Sequence, residues 1–232
     1  WERIPVIWML CPMTIKENMI DELKERVELL IGGIQIQSKR KKGIGTLGCV
    51  VFDKSSGKPF GLTNKHILKK RRGFSVIQPA AKSRTQEYIV GNILRKGGKG
   101  KSNDFAVFEL NESNRSYDSE NSIFGLSGKI SDYVEPVRGM TVQKVGQRTG
   151  HTFGIIEEVK NNKVTIIPNP QKPAPNEISK GGDSGALWVT DEVRNFKAVA
   201  LHRAGEPEES NLKDKAFAIP IKKVLDALQI RF

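Results

Sequence analysis

Cysteine is nearly absent from this chain. Cys11 and Cys49 are the two present in 232 residues, too few for the disulfide framework that staples small secreted domains. A reducing, cytoplasmic setting is therefore expected ahead of a secreted one. Long apolar runs are absent too. None reaches the roughly 18 residues of a membrane span, so no membrane partner is expected. The stretch Ile4 to Met13 (IPVIWMLCPM) is apolar but short and broken by two prolines. It lacks the basic flank and the clear cleavage site of a signal peptide. Histidine is scarce, with only His66, His151 and His202. Together with the two cysteines they show no close ligand spacing, so neither a metal nor another cofactor is expected.

Acidic residues are also in deficit, 26 against 38 basic ones, which leaves a net charge of +12. The basic residues cluster at Lys39 to Lys42 (KRKK), Lys69 to Arg72 (KKRR) and Arg95 to Lys101 (RKGGKGK). Such clusters suit an acidic partner or nucleic acid, or are solvated charge beside turns. No aromatic residue is interleaved among them to stack on bases, so nucleic acid is an alternative rather than the preferred partner. The chain opens on Trp1, which reads as a fragment or processed product of a larger multidomain chain.

What is present is a core of 38% hydrophobic residues and many turn signals, with 22 glycines and 11 prolines. Residues 14 to 31 (TIKENMIDELKERVELLI) carry Ile15, Met19, Ile20, Leu23, Val27 and Leu30 at helical spacing. Thr14 and Glu17 form a capping-box pattern, and Gly32 and Gly33 stop the run. Short strand candidates follow at 33–37, 48–52, 61–63, 74–77, 88–93 and 105–110. After the polar stretch NESNRSYDSENS (111–122) they resume at 141–145, 152–159, 163–167, 185–189 and 198–202, and a short helix closes the chain at 221–228. This texture predicts an all-β fold, two packed antiparallel β-barrels of about six strands each, with an N-terminal and a C-terminal helix. The expected units are an N-terminal extension (1–31), a first barrel (32–115), a connector (116–135) and a second barrel with its helix (136–232).

The stretch SKGGDSGALWV (179–189) has a small residue at nearly every position and one hydroxyl at its centre. A serine hydroxyl is a poor nucleophile until a base takes its proton and donors hold the oxyanion that forms. Glycines around Ser184 permit unusual backbone angles and clear space for a substrate carbonyl. The amides of Gly182 and Ser184 are the candidate oxyanion donors. The base must be one of three histidines, and it needs a carboxylate to fix its tautomer. Asp104, where a polar turn enters a strand in SNDFAVFEL, suits that role.

The order His66, Asp104, Ser184, within LTNKHIL, NDFAVFEL and GGDSGALWV, resembles the trypsin-like (chymotrypsin-fold) serine peptidases. GTLGCVVFD, VGQRTGHTFGIIEEV and ALHRAGEP…AFAIPIKKVLDAL resemble its bacterial-type members, and the likeness covers about residues 31 to 230. It implies His66 as general base, Asp104 as its orienter and Ser184 as nucleophile, acting on a protein or peptide substrate. The residue six before Ser184, an aspartate in Arg/Lys-cleaving members, is Ile178, which counts against trypsin specificity. ALHRAG resembles a strand of glutamyl endopeptidases and viral 3C-like peptidases whose histidine lines the specificity pocket. This implies His202 as a substrate-binding residue, with Ser179 adding a hydroxyl and Arg203 a positive charge, and a preference for Glu or Gln before the cut. His151 reads as a turn residue.

The resemblance leaves one question open. In the digestive members a freed N-terminus pairs with the aspartate before the nucleophile. Here IGG (Ile31 to Gly33) is internal, so either cleavage occurs near residue 30, or Asp183 bonds another group, or activation is conformational. Two other functions compete with a peptidase: a catalytically inactive binding module on the same fold, and a basic nucleic-acid-associated domain.

Overall fold

The computed structural model describes residues 19–39, 43–68, 73–80, 86–174, 177–206 and 214–232. In chain order the strands are β1 (Leu29–Leu30), β2 (Gln35–Ser38), β3 (Ile44–Thr46), β4 (Val50–Asp53), β5 (Pro59–Thr63), β6 (Ser75–Ile77), β7 (Ile89–Lys96) and β8 (Ala106–Leu110). They continue as β9 (Ser116–Tyr117), β10 (Lys129–Tyr133), β11 (Thr141–Gly146), β12 (Gly150–Lys160), β13 (Lys163–Pro168), β14 (Leu187–Thr190), β15 (Asn195–Gly205), β16 (Ala216–Pro220) and β17 (Ile230–Arg231). Helix α1 (Ile221–Leu228) separates the last two strands.

Strand formation follows period-two burial. Along β12, Thr152, Gly154 and Ile156 are buried, while His151, Phe153 and Ile155 between them are only half-buried. Seven strands form one sheet in the order β10-β15-β14-β11-β12-β13-β16, and β15 also pairs with β16, closing six of them into a barrel. Eight strands form a second, curled sheet in the order β17-β4-β5-β8-β7-β6-β2-β3, open between its outer strands. The architecture is the expected all-β pair, with one barrel closed and the other a half-barrel. One apolar cluster runs through the curled sheet, with Leu62, Phe105 and Phe108, and across to Leu187, Leu201 and the inner face of α1. A second cluster fills the closed barrel around Trp188. Ile221, Val224, Leu225 and Leu228 of α1 are buried, as their helical spacing predicts.

Two expectations are corrected. The helix predicted over 14–31 persists only through Glu22 among the described residues, and Leu29–Leu30 is a strand paired in parallel with β9. Distant side chains take the backbone groups that a helix would have used. Gln78 donates its amide to the Glu25 carbonyl at 2.7 Å and accepts from the Val27 N–H at 3.3 Å, and Arg115 donates to the Val27 carbonyl. Leu23 and Leu30 are still fully buried, so the apolar spacing is used by a different backbone. The connector 116–135 also contains β10, which pairs in parallel with β15. Ile130 is its one buried residue, so the alternation that marks a strand is missing.

No helix among the described residues is long and apolar enough to cross a membrane. Cys49 is buried, and burial pushes its thiol pKa up. Cys11, the KKRR cluster and all of KRKK except Lys39 lie outside the described residues.

Candidate active site

The turn Gly182-Asp183-Ser184-Gly185 lies between the sheets, directly before β14. Gly182 has φ +118° and Gly185 φ +99°, in the region that favours glycine. Space demands glycine as well. A Cβ on Gly185 would stand 2.2 Å from both the Thr46 carbonyl oxygen and Thr63 Oγ1. Thr46, at the end of β3, clamps the turn from the opposite sheet. Its N–H donates to the Ser184 carbonyl at 2.9 Å, and its Oγ1 donates to the Gly182 carbonyl at 3.0 Å. Among the described residues, neither the Gly182 nor the Ser184 N–H donates to a protein acceptor.

The open question about Asp183 has a direct answer: it bonds another group. Its fully buried carboxylate lies 3.2 Å from Lys144 Nζ, itself fully buried on β11. The same carboxylate accepts from the Arg148, Thr149 and Lys180 N–H groups at 2.9, 3.1 and 3.0 Å and from Thr149 Oγ1 at 2.7 Å. Burial pushes its pKa up, but the Lys144 charge and these donors outweigh burial and hold it below the ordinary carboxylate value. An internal lysine thus stands opposite Asp183. Gly146 makes room, since a Cβ there would lie 2.4 Å from Asp183 Oδ1.

His66 follows β5 on a turn that Ile67 and Leu68 anchor in the core. Asp104 enters β8 behind buried Phe105, and the Asn64 amide donates to its carbonyl at 2.7 Å. The carboxylate grips His66 twice, accepting from its backbone N–H at 2.9 Å and from ring Nδ1 at 2.6 Å. A carboxylate can only accept, so Nδ1 carries a proton, and in the neutral ring the lone pair lies on Nε2. Burial raises the Asp104 pKa, but the His66 hydrogen bonds and charge, with Arg203, outweigh it and leave the pKa lowered. Arg203 links this pair to the serine. Its Nε lies 3.7 Å from Asp104 Oδ2, and its carbonyl accepts from Ser184 Oγ at 3.1 Å.

His202, buried on β15, takes the opposite tautomer. The Trp188 indole N–H donates to its Nδ1 at 3.2 Å, so its proton is on Nε2 and is directed to Ser179 Oγ at 2.7 Å. Burial, aided by the Lys144 charge, pushes its pKa down to about 3, so the ring is neutral near pH 7. Ser179 is therefore brought to His202. The Ile178 side chain instead belongs to the core of the closed barrel, as its fully buried position and apolar neighbours require. His151 is placed apart, with Nε2 2.8 Å from Gln143 Oε1 and its ring against Phe153. It sits on a strand rather than on the expected turn. No group of three or more potential metal ligands is found among the described residues.

Sequence reasoning missed Lys144, Thr149, Thr46 and Trp188. Lys144 left a signal: in β11 it is in phase with Val142, so a lysine falls on an inward-facing position. The hydrogen bond of Trp188 left none, because Trp188 reads as one more apolar strand residue.

No protein-family model and no curated protein sequence matches the chain. Solved structures do, and they are bacterial chymotrypsin-fold serine proteases. A glutamic-acid-specific serine protease that uses a histidine triad in substrate binding aligns with TM-score 0.64 and 19% identity, over 87% of this chain and 99% of that one. An alpha-lytic protease homologue, N4, aligns with TM-score 0.63 and 21% identity over 88% and 98%. The Nocardiopsis protease NAPase aligns with TM-score 0.62 and 18% identity over 87% and 97%. At these identities the likeness establishes the fold.

Proposed function

Proceeding from the chymotrypsin-like two-barrel fold, we propose that this chain is a serine endopeptidase that works through an acyl-enzyme. The observation that carries this reading is the double grip of Asp104 on His66, at 2.9 and 2.6 Å, which leaves Nε2 to accept a proton while Arg203 joins the pair to the Ser184 hydroxyl. In the reaction, Ser184 Oγ turns from the Arg203 carbonyl, gives its proton to His66 Nε2 and bonds to the substrate carbonyl carbon. The oxyanion is held by the Gly182 and Ser184 N–H groups. His66 returns the proton to the leaving amine as the C–N bond breaks, and water, activated by the same ring, hydrolyses the acyl ester.

Side-chain selection falls to Ser179 and His202. Because His202 donates its one ring proton to Ser179, the Ser179 hydroxyl proton is left for a substrate acceptor. This favours a Gln or Glu side chain before the cut, since a site built to donate rejects groups that cannot accept. No histidine triad supports the pocket here, because both ring nitrogens of His202 are engaged, by Ser179 and Trp188.

A catalytically silent binding module is the competing reading, and the Ser184 hydroxyl resting on Arg203 favours it. One experiment separates the two. A fluorophosphonate probe and a proteome-derived peptide library are applied to the wild type and to Ser184→Ala. Labelling and cleavage that vanish in the variant support the peptidase, with Glu or Gln enriched before the cut. An unlabelled, inactive wild type sinks it, and enrichment of Arg or Lys sinks the specificity.

A further inference from the structure

Beside the His66–Asp104 pair lies a groove of about 370 Å³ that this reaction scheme leaves unused. Lys101, Lys160, Lys163 and Arg203 line it against one carboxylate, Glu158, among the described residues. Phe217 forms its aromatic wall, with Lys163 Nζ 4.6 Å from the ring centroid. Among the described residues, Lys101, Lys160 and Lys163 form no ion pair with a carboxylate. Arg203 Nε is buried with no hydrogen-bond partner. The groove therefore gathers positive charge against an apolar wall, with three lysines that no carboxylate among the described residues neutralises.

The groove is continuous with the site. Arg203 touches both the Ser184 hydroxyl and Asp104, and Lys101 and Ser102 lie three and two residues before Asp104 in the chain. β15 runs from Arg203 to Gly205 away from Ser184. A peptide adding antiparallel to that segment runs back toward Ser184. Its residues before the cut therefore pass Ala204, whose sheet partner is Phe217.

We propose that this groove is a subsite for acidic side chains a few residues N-terminal to the cleaved bond, so that the substrate is an acidic peptide segment. The proposal rests on the endopeptidase reading for the direction of the bound peptide. It also gives part of the +12 charge a task. Fields of one sign in a low-dielectric cleft concentrate ligands of the other sign, and salt weakens them.

The test uses the Ser184→Ala chain and fluorescent peptides, so that binding is read without turnover. One peptide carries Glu residues before the cut site, one carries Gln there, and one carries the Glu residues after it. The first is expected to bind about tenfold more tightly than the other two at roughly 50 mM salt, with the advantage shrinking at about 500 mM. Lys160→Glu/Lys163→Glu, on the exposed end of the β12–β13 hairpin, should abolish the advantage. Lys101→Glu, outside that hairpin, should reduce it independently. Equal binding of the three peptides overturns the proposal, as does an advantage that survives both charge reversals or that follows the acids wherever they are placed. A single-stranded oligonucleotide that binds more tightly and displaces the acidic peptide would assign the groove to nucleic acid instead. Fluorophosphonate labelling of the wild type decides the endopeptidase reading separately.

Discussion

Two histidines, His66 and His202, use their Nδ1 atoms in opposite ways. His66, partly exposed, gives its Nδ1 proton to Asp104. His202, buried, accepts at Nδ1 from Trp188 and gives its Nε2 proton to Ser179. The partner of Nδ1 decides the tautomer, and the tautomer decides what the ring can do. A carboxylate partner leaves a proton acceptor facing the crevice, while an indole partner leaves a fixed donor. The largest break in this contrast is Asp104→Asn, whose amide can donate to Nδ1 and so turn His66 into the His202 pattern. In the proposed peptidase, kcat should fall by about four orders of magnitude, as expected when the base is held in the wrong tautomer. Adding Ser184→Ala should cost little more, because the groups act as a unit. Single-turnover kinetics checks both. A merely structural Asp104 would lower Tm and leave kcat of the folded fraction intact.

The two buried aspartates sharpen the comparison in stability rather than rate. Asp104 faces a ring that can exist neutral or charged, whereas Asp183 faces Lys144 with both side chains fully buried. Lys144→Met leaves the Asp183 carboxylate buried without its cation and should cost about 3–5 kcal/mol in urea unfolding. Lys144→Met/Asp183→Asn should recover part of that loss, since no lone charge remains. A single variant that unfolds like the wild type would remove the ion pair from the account of the turn.

These pairings were unequally legible in the sequence. His66, Asp104 and Ser184 could be singled out because each sits in a short local context whose residue types the proposed chemistry would require. Lys144 does not, because lysines are rarely buried and only its phase with Val142 betrays the inward direction. The tautomer of His202 depends on Trp188 and Ser179, which reach it only once β14, β15 and the turn before Ser184 pack together. The segment 23–30 fails as a helix for the same kind of reason, since Gln78 and Arg115 lie far along the chain. Local chemistry could be read directly, but which distant side chain takes which buried polar group could not.

The smaller effects follow from His202. Its folded pKa of about 3 lies below the ordinary histidine value of 6.5, so the unfolded chain binds its proton first as pH falls. Its contribution to stability is thus complete above about pH 6.5 and declines on acidification, by at most about 1.4 kcal/mol per pH unit. Asp104 and Asp183 have lowered pKa values, so they act in a different window. Their stabilisation is complete above roughly pH 4 and is lost below it. Unfolding between pH 4.5 and 6.5 therefore separates His202 from Asp104 and Asp183. His202→Gln should flatten the wild-type slope there, and an unchanged slope would assign it to another group.

Trp188→Phe should have the smallest effect and the most specific one. It keeps most of the buried ring and removes one hydrogen bond, at a cost of about 1 kcal/mol. Without the indole donor, His202 Nδ1 can take the proton, leaving Nε2 to accept from Ser179 and redirecting the hydroxyl proton away from the substrate. The expected result is several-fold weaker discrimination between a Gln substrate and its apolar counterpart, seen in KM more than in kcat, with His66-dependent labelling of Ser184 unchanged. Equal loss on both substrates would mean that Trp188 only fills space in the closed barrel, and the contrast between the two rings would then be a matter of packing alone.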